Sequence, residues 1–237
     1  MRAAPRGGLY TAAMSEVAEG PVRRPLRSRG KPWAWALARR LTAWRVSPNL
    51  ISSMSIVFAA GAGLSLALAP RVEGPFLAAG LYLAAAAGMQ LRLMANLMDG
   101  MVAVEGGLGS KTGELWNDLP DRFADGLVFV GAAYGLPGLP FGVALGWTVA
   151  AAAIVTAYVR VLGAAAGGGQ HFLGPMAKPH RMAAMTVGAL LAAGLSMVDP
   201  TWAQRLLAAT LMLILAGCAV TMARRLSRIA AELRQRA

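Results

Sequence analysis

Apolar and polar stretches alternate along this chain with a long period. Six apolar stretches, approximately 49–69, 76–99, 114–135, 141–166, 182–198 and 202–223, follow one another with short breaks between them. Each is near the ~20 residues that a helix needs to cross a hydrocarbon core. The breaks carry turn chemistry: Pro70 to Pro75, Pro137 to Pro140 and Asp199-Pro200. The break at 104–112 is rich in glycine, and that at 167–180 opens on Gly167, Gly168 and Gly169 before Pro175 and Pro179. The pattern predicts an all-α polytopic membrane protein with six transmembrane helices. Ahead of them, Lys31 to Arg45 interleaves Trp33, Trp35, Leu37, Leu41 and Trp44 with Arg39, Arg40 and Arg45. Tryptophan and arginine on one short helix suit the headgroup zone. The expected organisation is a flexible basic arm over 1–30, an interfacial amphipathic helix over 31–46, a six-helix transmembrane domain over 47–225 and a basic cytoplasmic tail over 226–237.

Composition narrows the class. Only 14% of the 237 residues are charged, against about 25% in soluble domains, and mean hydropathy is +0.52. A water-soluble globular enzyme is thereby disfavoured. The formal charge of +12 comes from basic residues gathered at both ends, beside apolar stretches. There it reads as attraction to anionic lipid and as a topology signal, not as a nucleic-acid footprint. Eight basic residues lie in 23–45 and five after 223, whereas the opposite loops hold only Arg71 and Arg205. Both termini and the loops at 104–112 and 167–180 are therefore expected on the cytoplasmic side of the inner membrane. Cys218 is the only cysteine and sits in an apolar run, so it is expected to pack as a small hydrophobe. Helices this rich in Gly and Ala are also suited to homodimer packing.

The carboxylates are distributed unevenly. Six of the eleven acids fall between Asp99 and Asp125, and Asp118, Asp121 and Asp125 lie within the third apolar stretch. An ionisable residue inside a membrane segment is costly and marks a functional site or a polar cavity. Asn96, Asp99 and Ala103 share one helix face at i, i+3 and i+7, and Gly113, Asn117, Asp121 and Asp125 share another at intervals of four. A short loop joins the two helices, so they are expected to be antiparallel neighbours with facing polar stripes. Carboxylate and amide oxygens converging from two helices suit Mg²⁺ or Mn²⁺, a hard cation that works together with substrate phosphate. The other reading of the same acids is a set of intramembrane ion pairs with Arg92, Arg122 and Arg160, and the residues alone leave the two open.

Written out, Asn96 to Asp121 is N-L-M-D-G-M-V-A-V-E-G-G-L-G-S-K-T-G-E-L-W-N-D-L-P-D. This resembles the CDP-alcohol phosphotransferase motif D-x2-D-G-x2-A-R-x8-G-x3-D-x3-D in every spacing. Asp99, Gly100, Ala103, Gly113 and Asp121 carry the family's residue types, and S-P-N-L-I-S at 47–52 resembles its entry to the first span. Three positions depart: Asn96 and Asn117 stand for the first and third aspartates, and Val104 stands for arginine.

The resemblance implies transfer of a phosphoalcohol group from a CDP-alcohol such as CDP-diacylglycerol to an acceptor hydroxyl, with release of CMP. It implies one or two divalent cations on Asn96, Asp99, Asn117 and Asp121, with Asp121 as general base. It implies a nucleotide lying against Asp99, Gly100, Ala103 and Gly113. Two lost carboxylates weaken the compensation between two closely spaced dications, so one tight site is expected. Asp125, one turn deeper than Asp121, is expected to restore part of the charge as a further ligand. Arg160, Lys178 and Arg181 are the candidates for an acceptor phosphate, and Lys111 and Arg122 flank the motif. His171 and His180 are expected to be exposed loop residues. A catalytically impaired relative that binds CDP-lipid or metal as a scaffold or regulator is the alternative that the two asparagines raise.

Overall fold

The computed structural model describes residues 30–107, 112–169 and 171–236. The basic arm expected over 1–29, Lys111 and the Asn117 side chain lie outside the described residues. Seven helices follow in order: α1 (Pro32–Ala43), α2 (Pro48–Leu68), α3 (Pro75–Glu105), α4 (Gly113–Tyr134), α5 (Gly142–Ala165), α6 (Lys178–Ser196) and α7 (Pro200–Arg236). A 3-10 turn over Ala69–Arg71 extends α2. No strand occurs among the described residues.

Local chemistry explains where the helices begin. Pro32, Pro48, Pro75, Pro179 and Pro200 open five of them, at positions where a missing N–H costs nothing and φ is already helical. Ser47 caps α2, its Oγ accepting a hydrogen bond from the Leu50 N–H at 3.2 Å. Two helices run past their apolar stretches. The expected second span ends at 99, but α3 continues to Glu105 and carries Asp99, Gly100 and Ala103 in its last turns. The basic segment after 225 continues α7 to Arg236.

Helices α2 to α7 form a closed ring in the spatial order α2, α3, α6, α7, α5, α4 and back to α2. The expected intimate pair of α3 and α4 is not formed along their length, because α2 lies between them and packs closely on both. Glycines give the reason. A Cβ on Gly63 of α2 would stand 2.3 Å from the Leu127 carbonyl oxygen of α4, and one on Gly131 would stand 2.2 Å from the Gly63 carbonyl oxygen. With no side chains at that crossing, the two backbones touch, and α3 is held away from α4 except where their polar residues meet.

The ring interior is filled by Leu66, Tyr82, Met89, Phe129, Leu136, Met182, Met185, Leu207, Leu211 and many alanines, with Cys218 buried among them. The outside is apolar as well: Val57, Leu64, Phe76, Leu77, Phe123, Trp147, Tyr158, Leu191, Leu213 and Val220 are exposed. A bundle that is apolar within and without is suited to lipid as its solvent. The helices α2 with its extension, α3, α5 and α7 are long and apolar enough to cross a membrane. The remaining two, α4 and α6, carry the charges described below. Helix α1 lies outside the ring, with Ala34 and Ala38 packed near Ala95, Met98 and Val102 of α3 and with Trp33, Trp35 and Trp44 exposed.

Candidate active site at one end of the bundle

The polar contacts gather at one end of the ring. At the opposite end the recorded ones are few: Arg71 reaches the Tyr134 carbonyl, and the Gly138 N–H donates to Gln204. At the near end α2, α3, α4, α5, α6 and α7 are joined by charged and hydroxyl groups, most of them buried or half-buried.

Asn96 and Asp121 join α3 to α4, the Asn96 Nδ2 donating to Asp121 Oδ1 at 2.5 Å. The other oxygen of Asp121 forms an ion pair with the Lys178 ammonium, which enters from the first residue of α6. Asp99 is buried and held by two neutral donors, the Ser52 hydroxyl of α2 at 2.7 Å and the Gly100 N–H at 2.5 Å. Asn96, on the same helix face as Asp99, is thus brought to Asp121 across the two helices.

One turn deeper, Asp125 is fully buried. Arg92 Nη2 reaches its Oδ1 and Arg181 Nη2 its Oδ2, each at 2.6 Å. Both oxygens of Asp125, expected as a metal ligand, are taken by guanidinium groups, one of them from Arg181, expected at an acceptor phosphate. Arg181 also donates to the Met176 carbonyl and is 2% exposed. Carboxylate between two guanidinium groups is a strong, geometrically fixed arrangement. The Nε and Nη1 of Arg92 and the Nε of Arg181 have no hydrogen-bond partner among the described residues. Arg122 and Arg160, the other partners the sequence offered, go instead to Asp118, at 3.3 and 2.7 Å. Arg160 also lies over the Phe172 ring, 5.3 Å from its centroid, at a partly exposed rim. Ion pairs thus reach Asp118, Asp121 and Asp125 of α4, and Asp121 alone of the three also takes the Asn96 amide.

Sequence reasoning missed Ser52, and it named Arg92 and Asp125 without pairing them with each other. Ser52 lies in the S-P-N-L-I-S segment, which was noted for its resemblance and not for its hydroxyl. Arg92 and Asp125 sit one turn either side of Asn96 and Asp121 in antiparallel register, and that register was the available signal. His171 is not a free loop residue: its Nε2 lies 2.8 Å from Glu232 of α7, which also accepts from the Gly169 N–H. His180 is exposed, but it lies in the first turn of α6 and not in a loop. Arg225 of α7 donates to the carbonyls of Leu173 and Thr156, tying the α5–α6 connection to the ring.

The donor set was weighed against a divalent ion. Two carboxylates and one amide oxygen are hard ligands, and Mg²⁺ is held by one or two carboxylates where substrate phosphates complete its shell. Among the described residues no group of three carboxylate, imidazole or thiol side chains converges to cage a metal unaided. The site therefore fits a cation shared with a phosphate-bearing substrate.

No known family matches the chain by sequence, and no curated protein does. Three crystal structures of phosphatidylinositol phosphate synthase from Mycobacterium tuberculosis are similar in fold, each 20% identical in sequence. With CDP-DAG bound the TM-score is 0.67, over 83% of this chain and 92% of that one. In complex with manganese and citrate it is 0.67, over 83% and 88%. The apo form gives 0.64, over 82% and 94%. At that identity the likeness establishes a shared fold across most of both chains.

Proposed function

We propose that this chain is an integral membrane phosphotransferase of phospholipid synthesis. It transfers a phosphoalcohol group, phosphatidyl where the donor is CDP-diacylglycerol, to an acceptor hydroxyl and releases CMP. The observation that carries this reading is the hydrogen bond of Asn96 to Asp121, motif positions on two helices that otherwise hardly touch, with Asp99 one turn along from Asn96. The solved relatives support it, since one holds CDP-DAG and another manganese on the same fold.

Asp99 and Asp121, with the Asn96 amide oxygen and, by its place on α4, Asn117, would hold a divalent cation. Such a cation neutralises pyrophosphate oxygens and stabilises the leaving CMP. Asp121 serves as the base: a carboxylate oxygen there accepts the proton of the acceptor hydroxyl as the new P–O bond forms and the bond to CMP breaks. Ser52 and the Gly100 N–H hold Asp99 in place through its two oxygens. The small residues Gly100, Ala103 and Gly113 leave the helix backbones open to the nucleotide. Arg160, at the rim with Phe172, is the candidate contact for a phosphate on the acceptor. All six ring helices span the bilayer in this reading, α1 lies along the headgroups, and the site faces the cytoplasm, following the Lys/Arg asymmetry.

Purified protein given CDP-diacylglycerol, Mg²⁺ or Mn²⁺ and a panel of acceptors (glycerol phosphate, inositol phosphate, serine) should release CMP and form a new lipid, read by mass. Release that persists in both Asp99→Asn and Asp121→Asn rejects the assigned site. The scaffold reading has one specific observation in its favour, the Lys178 cation seated on Asp121. Activity that appears only after Asn96→Asp and Asn117→Asp would establish it.

A further inference from the structure

We propose that Lys178 is a built-in replacement for one divalent cation, so that its ammonium occupies the cation position at Asp121 and leaves a single divalent ion to be bound beside Asp99. This deepens the phosphotransferase reading and rests on it for the identity of the metal pocket.

The charges of the pocket carry the inference. Arg92, Lys178 and Arg181 all pair with Asp121 and Asp125, three cations to two anions, and among the described residues none forms an ion pair with Asp99. Within that set the partners are unequal. Asp125 has two arginines. Asp121 has Lys178, with Arg92 farther off at 3.7 Å. Asp99 has only the neutral donors Ser52 and Gly100 within hydrogen-bond distance. A dication seeking uncompensated negative charge therefore finds it at Asp99, whereas at Asp121 it meets a cation already in contact.

Position 96 fits the same scheme. Its amide Nδ2 donates to Asp121, which a carboxylate at 96 would repel. Asparagine and Lys178 together occupy both oxygens of Asp121 without a second metal. Lys178 is also well placed to be a fixed charge rather than a wandering one. It is the first residue of α6, followed by Pro179 and preceded by the buried Ala177, and its side chain is 22% exposed. An ammonium is a compact point charge with three donors, able to sit on a single carboxylate oxygen as a cation does.

Mn²⁺ binding to the full-length protein in detergent with saturating CDP-diacylglycerol, followed by the electron paramagnetic resonance signal of free Mn²⁺ during titration, tests the proposal without reference to turnover. Lys178→Met should bind one more Mn²⁺ per chain than the wild type, and Lys178→Gln should do the same. Lys178→Arg, which keeps the charge, should keep the wild-type count. The gained ion should vanish in Lys178→Met combined with Asp121→Asn and survive in Lys178→Met combined with Ser52→Ala. Circular dichroism identifies a variant that fails to fold, and the other neutral variant then decides. Equal Mn²⁺ counts in the wild type and both neutral variants overturn the proposal, as does a gained ion that persists without Asp121. CMP release by the wild type is measured separately, so a protein that turns over without the predicted gain in Mn²⁺ sinks this inference alone.

Discussion

Asp121 and Asp125 stand one turn apart on the same face of α4, and their surroundings could hardly differ more. Asp125 is closed on both oxygens by Arg92 and Arg181, within the ring and away from solvent. Asp121 is met by an amide and an ammonium from side chains that are partly exposed. Guanidinium groups are planar, permanently charged and matched to a carboxylate. The Lys178 ammonium and the Asn96 amide hold Asp121 nearer the partly exposed edge of the cluster. The deeper acid thus fastens α3, α4 and α6 together, and in the proposed reaction the shallower one is the working carboxylate.

Substitution can break or sharpen that division. The largest effect is expected at the deep acid. Asp125→Ala leaves two arginine charges buried without a counter-ion and should cost about 3–5 kcal/mol, seen as loss of monodisperse protein in detergent and a large drop in melting temperature. The shallow acids should show the opposite profile. Asp121→Asn and Asp99→Asn should keep the melting temperature within a few degrees while CMP release falls on the order of 10²–10³-fold or more, the scale of losing a preorganised electrostatic contact. A smaller effect is expected from Ser52→Ala, which removes one hydrogen bond to Asp99. At about 1 kcal/mol, turnover should fall roughly fivefold with the fold intact. The smallest concerns the rim. Arg160→Ala should change stability by less than about 1 kcal/mol, as partly exposed pairs do, and raise KM only for acceptors that carry a phosphate. A stable, inactive Asp125→Ala protein would erase the distinction between the two acids.

Much of this was legible in the chain. Hydropathy gave the order of the long helices, the proline-bearing breaks fell between them, and the motif positions Asn96 and Asp121 met across two helices. What escaped was of longer range. The insertion of α2 between α3 and α4 depends on Gly63 meeting Gly131, and nothing local marks those glycines among the 28 in the chain. The partners of Asp125 come from helices 33 and 56 residues away. Periodicity within one helix cannot choose among several arginines, so Arg122 and Arg160 looked as suitable as Arg92 and Arg181. Lys178 was visible as a basic residue near the pocket, but its seat on Asp121 required knowing that α6 packs beside α3.

The wedge between α3 and α4 has a consequence for how damage to this protein would present itself. Since these two helices meet mainly through polar residues near one end, the spacing between them is gauged by a third party, the bare crossing of α2 on α4. A methyl group added at Gly63 or Gly131, well removed from any reacting atom, would widen that gauge. A genetic screen would then score an inconspicuous glycine as though it were a lost catalytic aspartate.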